Sequence, residues 1–414
     1  MADFYQNGIV TTLHNLTNRG VEELESELIE FSKTRPMGLI LPSLYSELEG
    51  EALPKIVEHL SEVPYLSQII IGLDRATEDE FCKAIEFFKY LGQPHQILWN
   101  DGPRLKKLDE ELQALGVAPT EMGKGRNVWY CMGYALATKE AESIALHDCD
   151  ILTYDRSLLA RLIYPVAHPQ FNYEFCKGYY ARYSDGKLNG RVARLLVTPL
   201  LKALKRVMGH NDYLDYMDSY RYSLSGEFSF RQDVLNDIRI PSDWGLEIGV
   251  LSEMQRNYAA NRLCQVDIAN VYDHKHQDLS LNNCDGGLSK MSIDITKAFF
   301  RKLATQGYTL NTETMRTIKA TYYRIALDYI ETYKNDAIIN GLKVDIHTEE
   351  KSVEMFAKNI MQAGQTFLEK PMETPFIPSW NRVISAMPDV LTRLAQAVED
   401  DYLEFSERSA KKAS

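Results

Sequence analysis

From residue 36 to about 150, short apolar runs alternate with amphipathic stretches. The runs Met37-Gly38-Leu39-Ile40-Leu41, Leu66-Ser67-Gln68-Ile69-Ile70-Ile71-Gly72, Gln96-Ile97-Leu98-Trp99 and Ser143-Ile144-Ala145-Leu146-His147 read as buried strands. Between them, the segments near 51–62, 78–91 and 104–115 carry the helical period, as does the stretch from the turn Gly123-Lys124-Gly125 to about 138. Repeated strand–helix units predict an α/β fold with a mostly parallel sheet and helices on both faces. Ligands of such sheets sit beyond the carboxyl ends of the strands.

After 150 the pattern is less regular. Tyr173 to Tyr183 alternates and predicts a strand crossing the sheet edge. A helix is expected over 191–207, a structured loop over the Tyr-, Asp- and Ser-rich stretch 210–228, a helix over 245–257 and a strand over 262–271. From about 288 the period is helical, with a Pro-containing break at 371–379, and the polar residues Arg408 to Ser414 are expected to fray. The pattern divides the chain into an N-terminal helical segment (1–35), a catalytic domain (36–300) and a helical C-terminal region (301–414). That last region is expected to cover the active site or to pair two subunits in a homodimer.

Composition narrows the function. The net charge of −12 argues against general nucleic-acid binding, which needs a basic surface, but leaves room for a local basic pocket. Six cysteines without a CxxC pair fit reduced thiols in the cytoplasm, with no zinc ribbon or disulfide framework. The first residues lack a basic region followed by an apolar core, so no signal peptide is expected. No apolar stretch approaches the roughly 18–20 residues of a membrane span.

Chemistry concentrates at strand ends and glycine turns. Asp148-Cys149-Asp150 closes an apolar strand with two carboxylates one residue apart, hard oxygen ligands suited to Mg²⁺ or Mn²⁺; a solvated loop is the plainer alternative. Gly123-Lys124-Gly125 opens a helix whose N-terminus favours an anion, but it lacks a P-loop frame and is otherwise a common turn. Asn189-Gly190-Arg191-Val192-Ala193-Arg194 could hold a phosphate or carboxylate, or simply begin a surface helix. In Asp273-His274-Lys275-His276 an imidazole can ligate a metal or serve structure. Glu247, in Gly245-Leu246-Glu247-Ile248-Gly249, is either a site carboxylate or a helix-start residue complementing the dipole.

In this order, together with Leu41-Pro42-Ser43-Leu44, Phe175-Cys176-Lys177-Gly178-Tyr179-Tyr180 and Gly226-Glu227-Phe228, these pieces resemble the glucosyl-3-phosphoglycerate synthase family. The family consists of retaining GT-A glycosyltransferases, with mannosyl relatives, and the match covers about residues 36–300. The resemblance implies a Rossmann-like GT-A domain that moves glucose from a nucleotide-diphosphate sugar, UDP-glucose first, to the 2-hydroxyl of 3-phosphoglycerate. It implies donor contacts from Pro42, Ser43, Leu44, Lys124 and Asp148, and metal ligands Asp150 and His274 for Mg²⁺ or Mn²⁺. It implies an acceptor site at Gly190, Arg191, Val192, Ala193 and His276, with Glu247, Asp148 and the Leu224 carbonyl at the reacting centre.

Three positions depart from the family pattern. Tyr45-Ser46-Glu47 replaces an acidic pair and Gly72-Leu73-Asp74-Arg75-Ala76 replaces an Asp-Ser-rich turn, both at the nucleotide. Ala193 stands where a small hydroxyl residue is usual, which leaves glycerate open as acceptor. Two readings from other classes stand beside this one. A nucleotidyltransferase would release pyrophosphate from a nucleoside triphosphate, and a non-catalytic sugar-nucleotide sensor would bind donor without turnover.

Overall fold

The protein's structure, a computed structural model, describes residues 6, 8–17, 19–274, 287–371 and 376–413. Its strands are β1 (Thr11–Leu13), β2 (Met37–Leu44), β3 (Leu66–Asp74), β4 (His95–Trp99), β5 (Ser143–Leu146), β6 (Phe175–Ser184), β7 (Lys187–Leu188), β8 (Phe228–Arg231) and β9 (Leu263–Tyr272). The sheet runs β1-β9-β6-β8-β5-β2-β3-β4, with β7 folded back on the end of β6. Along that order only β8 runs antiparallel to its neighbours.

The four predicted strands between 37 and 147 form because parallel strands are covered on both faces and therefore read as apolar runs. In β2, Leu39 and Leu41 enter one core layer and Ile40 the other, where Ile70 and Leu146 are its register partners. The predicted helices between them are present, at Ala52–Ser61, Glu78–Phe88, Pro103–Ala114 and Lys124–Thr138. Thr77 and Glu80 start the second of these with a capping box. Helix Lys124–Thr138 is buried almost all round, as a helix crossed by other elements on its outer side must be.

The structure corrects several expectations. The N-terminal segment is not wholly helical: β1 extends the sheet beside β9, ahead of helix Val21–Ser32. β6 lies inside the sheet between β9 and β8 rather than crossing its edge. The expected loop 210–228 contains helix Asp212–Asp218, capped by the Asn211 side chain on Leu214 N at 2.8 Å. Its buried face is built partly from tyrosines whose hydroxyls are paired, Tyr213 to Ser252 and Tyr216 to Tyr220, so its polarity in sequence is misleading. The expected helix 191–207 opens as a π-helical turn, Val192–Val197, before the α-helix Thr198–Met208. The final helix, Val390–Ala413, runs through most of the stretch expected to fray.

The C-terminal helices are not an appendage. The boundary expected at 300 falls inside helix Gly287–Thr305, which packs on Ile346–Glu369. Helix Val390–Ala413 returns to cover β4 and the helices Pro103–Ala114 and Lys124–Thr138. There Phe405 meets Phe81 and Trp99 edge-on, and Arg104 pairs with the buried Asp401 at 2.6 Å. Trp380 stacks on Trp129 with ring centroids 4.3 Å apart, and its indole N–H donates to Trp129 O at 3.1 Å. Gly133 makes room, since a Cβ there would lie 2.1 Å from the Trp380 ring. Trp380→Ala is therefore expected to cost about 3–5 kcal/mol, through lost burial and an unfilled cavity, read as a lower urea midpoint.

Candidate active site

The carboxyl ends of β2, β3 and β5 open into one cavity of about 840 Å³, walled on the other side by the ends of β6 and β9. Pro42, Ser43 and Leu44 at the end of β2, Asp74 at the end of β3, and Asp148 and Asp150 after β5 all line it. Lys124, Gly190, Arg191, Val192, Ala193, Leu224, Glu247 and His274 line it too. His276 lies outside the described residues, so the structure says nothing of that expected acceptor contact.

Backbone pairing brings His274 to the aspartates. Just past β9, His274 bridges to Ile151 while Leu152 N donates to Asp273 O at 2.9 Å, which lays the end of β9 along the Asp148–Asp150 loop. One ligand atom each of Asp148, Asp150 and His274 lies within a 4.8 Å group. The Asp150 Oδ1 and His274 Nδ1 atoms stand 3.6 Å apart, both buried and both without a hydrogen-bond partner among the described residues. An unpartnered carboxylate oxygen and imidazole nitrogen beside a second carboxylate suit Mg²⁺ or Mn²⁺ completed by substrate oxygens. Asp148, which the resemblance places at the donor and the reacting centre and not among the metal ligands, is a member of this cluster as well.

Lys124 begins the central helix and reaches across the cavity to Asp148 Oδ1 at 2.6 Å and Glu247 Oε1 at 3.4 Å. Burial works against its ammonium, but the two carboxylates outweigh burial and hold its pKa above the ordinary lysine value. Burial likewise opposes the Asp148 charge, and Lys124 overrides it, keeping this carboxyl below its usual range. Glu247 sits in the first turn of helix Leu246–Asn257, as its position after Gly245 suggested. Gly226 is required beside Asp148, because a Cβ there would come within 2.3 Å of Oδ2.

Beneath these groups lies polar support whose residues the sequence motifs contain but to which no role was given. Glu227, fully buried, accepts hydrogen bonds from Tyr180 at 2.7 Å and Tyr272 at 2.5 Å, and those two rings stack 3.6 Å apart. Lys177, also fully buried, donates to Ser225 O at 2.5 Å, the carbonyl next to Leu224, and burial brings its pKa down to about 8. Tyr180 and Arg182, two apart on β6, both face the cavity. The alternation of 173–183 could have revealed that shared face. Arg191 opens the π-helical turn, a form concentrated at functional sites. Gly190 precedes it with φ +71°, in the left-handed region that favours glycine. The Arg191 partner, Glu349, gave no signal because it is 158 positions away.

No family model matches the chain. It is 47% identical over 401 residues to the glucosyl-3-phosphoglycerate synthase of Persephonella marina, covering 97% of this chain and 99% of that one. To the enzyme of the same name from Methanococcoides burtonii it is 40% identical over 410 residues, covering 98% and 100%. Among solved structures, the glucosyl-3-phosphoglycerate synthase of Mycobacterium tuberculosis with Mn²⁺, UDP-glucose and phosphoglyceric acid is similar at a TM-score of 0.52. That likeness is at 20% sequence identity and covers 71% of this chain and 88% of the other. The same protein with Mg²⁺ and UDP is similar at a TM-score of 0.50 and 21% identity, over 71% and 86%. The shared architecture is the GT-A fold.

Proposed function

Since the chain belongs to the glucosyl-3-phosphoglycerate synthase family, we propose that it moves glucose from a nucleoside diphosphate donor, UDP-glucose in the first instance, to the 2-hydroxyl of 3-phosphoglycerate. It is a glycosyltransferase. The observation that carries the reading is the arrangement of charge in one cavity: a carboxylate–imidazole cluster and Lys124 stand at the ends of β5 and β9, and Arg191 shares the same chamber. A nucleotide diphosphate fits the first group and a small anionic acceptor the second.

Asp148, Asp150 and His274 would hold Mg²⁺ or Mn²⁺. When bound, such an ion neutralises charge on a departing diphosphate. Lys124 contributes a fixed positive charge on the same side, electrostatic stabilisation that is organised before substrate arrives. Pro42, Ser43 and Leu44 border the nucleotide end. Gly190, Arg191, Val192 and Ala193 orient the acceptor so that its hydroxyl meets the anomeric carbon, and positioning of this kind lowers the barrier by several kcal/mol. Glu247 is engaged by Lys124 and serves as an orienting group, not a nucleophile. With no free carboxylate assigned as nucleophile, attack occurs on the face that the diphosphate leaves, the diphosphate takes the hydroxyl proton, and the configuration is retained. Leu224 borders this point.

Cys131, Cys149, Cys176 and Cys264 are buried free thiols, which supports the cytoplasm as the site of the reaction. No helix among the described residues is long and apolar enough to cross a membrane. The exposed Ile338 and Ile339, at the end of helix Thr312–Ile339, support a homodimer.

The test is a product assay with Mg²⁺, offering UDP-, GDP- and ADP-glucose and GDP-mannose against 3-phosphoglycerate and glycerate. Glucosylated phosphoglycerate with release of nucleoside diphosphate is expected. Product from glycerate alone would reassign the acceptor and point to Ala193. Pyrophosphate release from a triphosphate would favour a nucleotidyltransferase, and donor binding without any product a sensor.

A further inference from the structure

The C-terminal helices converge on one segment of the catalytic half, residues 186–198. Lys343 N, in the turn after helix Thr312–Ile339, donates to Gly186 O at 2.7 Å. The buried Tyr322 hydroxyl donates to Leu195 O, a carbonyl of the π-helical turn, at 2.7 Å. The Arg194 guanidinium stands 4.9 Å from the centre of the Tyr333 ring. Finally Glu349, in the first turn of helix Ile346–Glu369 and 5% exposed, accepts from Arg191 Nε at 2.9 Å and Arg194 Nη1 at 3.0 Å. Four separate contacts thus tie the C-terminal helices to one short segment.

The pairing at Arg191 has a chemical consequence. Two arginines three apart on a helical turn repel each other, and the Glu349 carboxylate between them offsets that repulsion. Arg191 spends its inner Nε on Glu349, and among the described residues its two Nη groups have no acceptor. These form the planar fork that binds phosphate or carboxylate with two parallel hydrogen bonds. A long side chain held from behind loses little further freedom when a ligand arrives, which is how pre-organisation raises affinity.

We propose that Glu349 is a positioning residue for the acceptor. It fixes the Arg191 fork toward the anionic end of 3-phosphoglycerate, so the C-terminal helices complete the acceptor site. The inference rests on the acceptor reading given above. It is tested with the full chain as wild type, Glu349→Gln and Glu349→Asp, with Mg²⁺ and the donor that the product assay selects. For Glu349→Gln the KM for 3-phosphoglycerate is expected to rise roughly tenfold or more while the donor KM stays within about twofold. Glu349→Asp, which keeps the charge, is expected to recover part of the loss.

An unchanged acceptor KM, or parallel rises in both KM values, overturns the proposal. If circular dichroism shows Glu349→Gln unfolded, the neutral Glu349→Met decides by the same ratio, and a wild-type acceptor KM in it overturns the proposal. The two readings fail differently. A wild type that yields no glycoside, yet binds 3-phosphoglycerate more tightly than Glu349→Gln in calorimetry, removes the reaction and keeps the positioning role. Equal binding by the two removes the positioning role.

Discussion

Asp150→Ala is expected to abolish metal-dependent turnover, lowering kcat/KM by about a thousandfold or more, equivalent to about 4 kcal/mol at the transition state. The side chain lies past the end of β5, and its buried Oδ1 has no hydrogen-bond partner among the described residues, so its removal takes away a ligand without stripping a described hydrogen bond from the fold. Unfolding in urea should therefore match wild type. The measurement is a titration of rate against Mn²⁺ for both proteins, with Mn²⁺ binding followed directly by electron paramagnetic resonance. Wild-type rate and wild-type Mn²⁺ affinity in the variant would remove Asp150 from the metal site. His274→Ala differs, because its backbone pairs with Ile151 and stays in place, so affinity should fall while the loop keeps its course.

The second large effect is expected at Lys124. Lys124→Met keeps most of the stem and removes the charge, and kcat should fall by about 10²–10³, the usual cost of deleting one fixed electrostatic contact to a developing negative charge. The donor KM should move less, because the charge matters most where the diphosphate departs. Lys124→Arg should recover little: a planar fork cannot take the place of a compact ammonium set between Asp148 at 2.6 Å and Glu247 at 3.4 Å. Steady-state rates with saturating donor decide the matter. A Lys124→Met enzyme with unchanged kcat would show that the lysine only holds the two carboxylates in place.

The parallel half of the fold was legible because strands covered on both faces must be apolar along their length, as Ile69, Ile70 and Ile71 are. The Asp148-Cys149-Asp150 pattern stood out for a related reason: an apolar strand ends there in two hard oxygen ligands one residue apart, although a solvated loop after the strand would give the same pattern. What stayed hidden has physical causes too. β1 is three residues long and owes its place to β9, about 250 positions later, so no local pattern announces it. The interior place of β6 depends on that same late partner. Helix Asp212–Asp218 hides its apolar face in tyrosines. Glu349 looks like any carboxylate in the first turn of a helix, where the dipole alone would justify it. Its meaning comes from Arg191 and Arg194, which only the fold brings near.

The return of the last helix to the central one also bears on synthesis. On a ribosome adding about 5–20 residues per second, roughly 5–20 seconds separate residue 300 from residue 400. During that interval the central helix has its Trp129 face uncovered, β4 lacks its outer layer, and Arg191 has no Glu349 behind it. The nascent protein thus carries a finished sheet with an exposed apolar flank and an acceptor loop not yet set. Chaperone dependence should peak in that window, and activity should appear only after the helix Val390–Ala413 has packed.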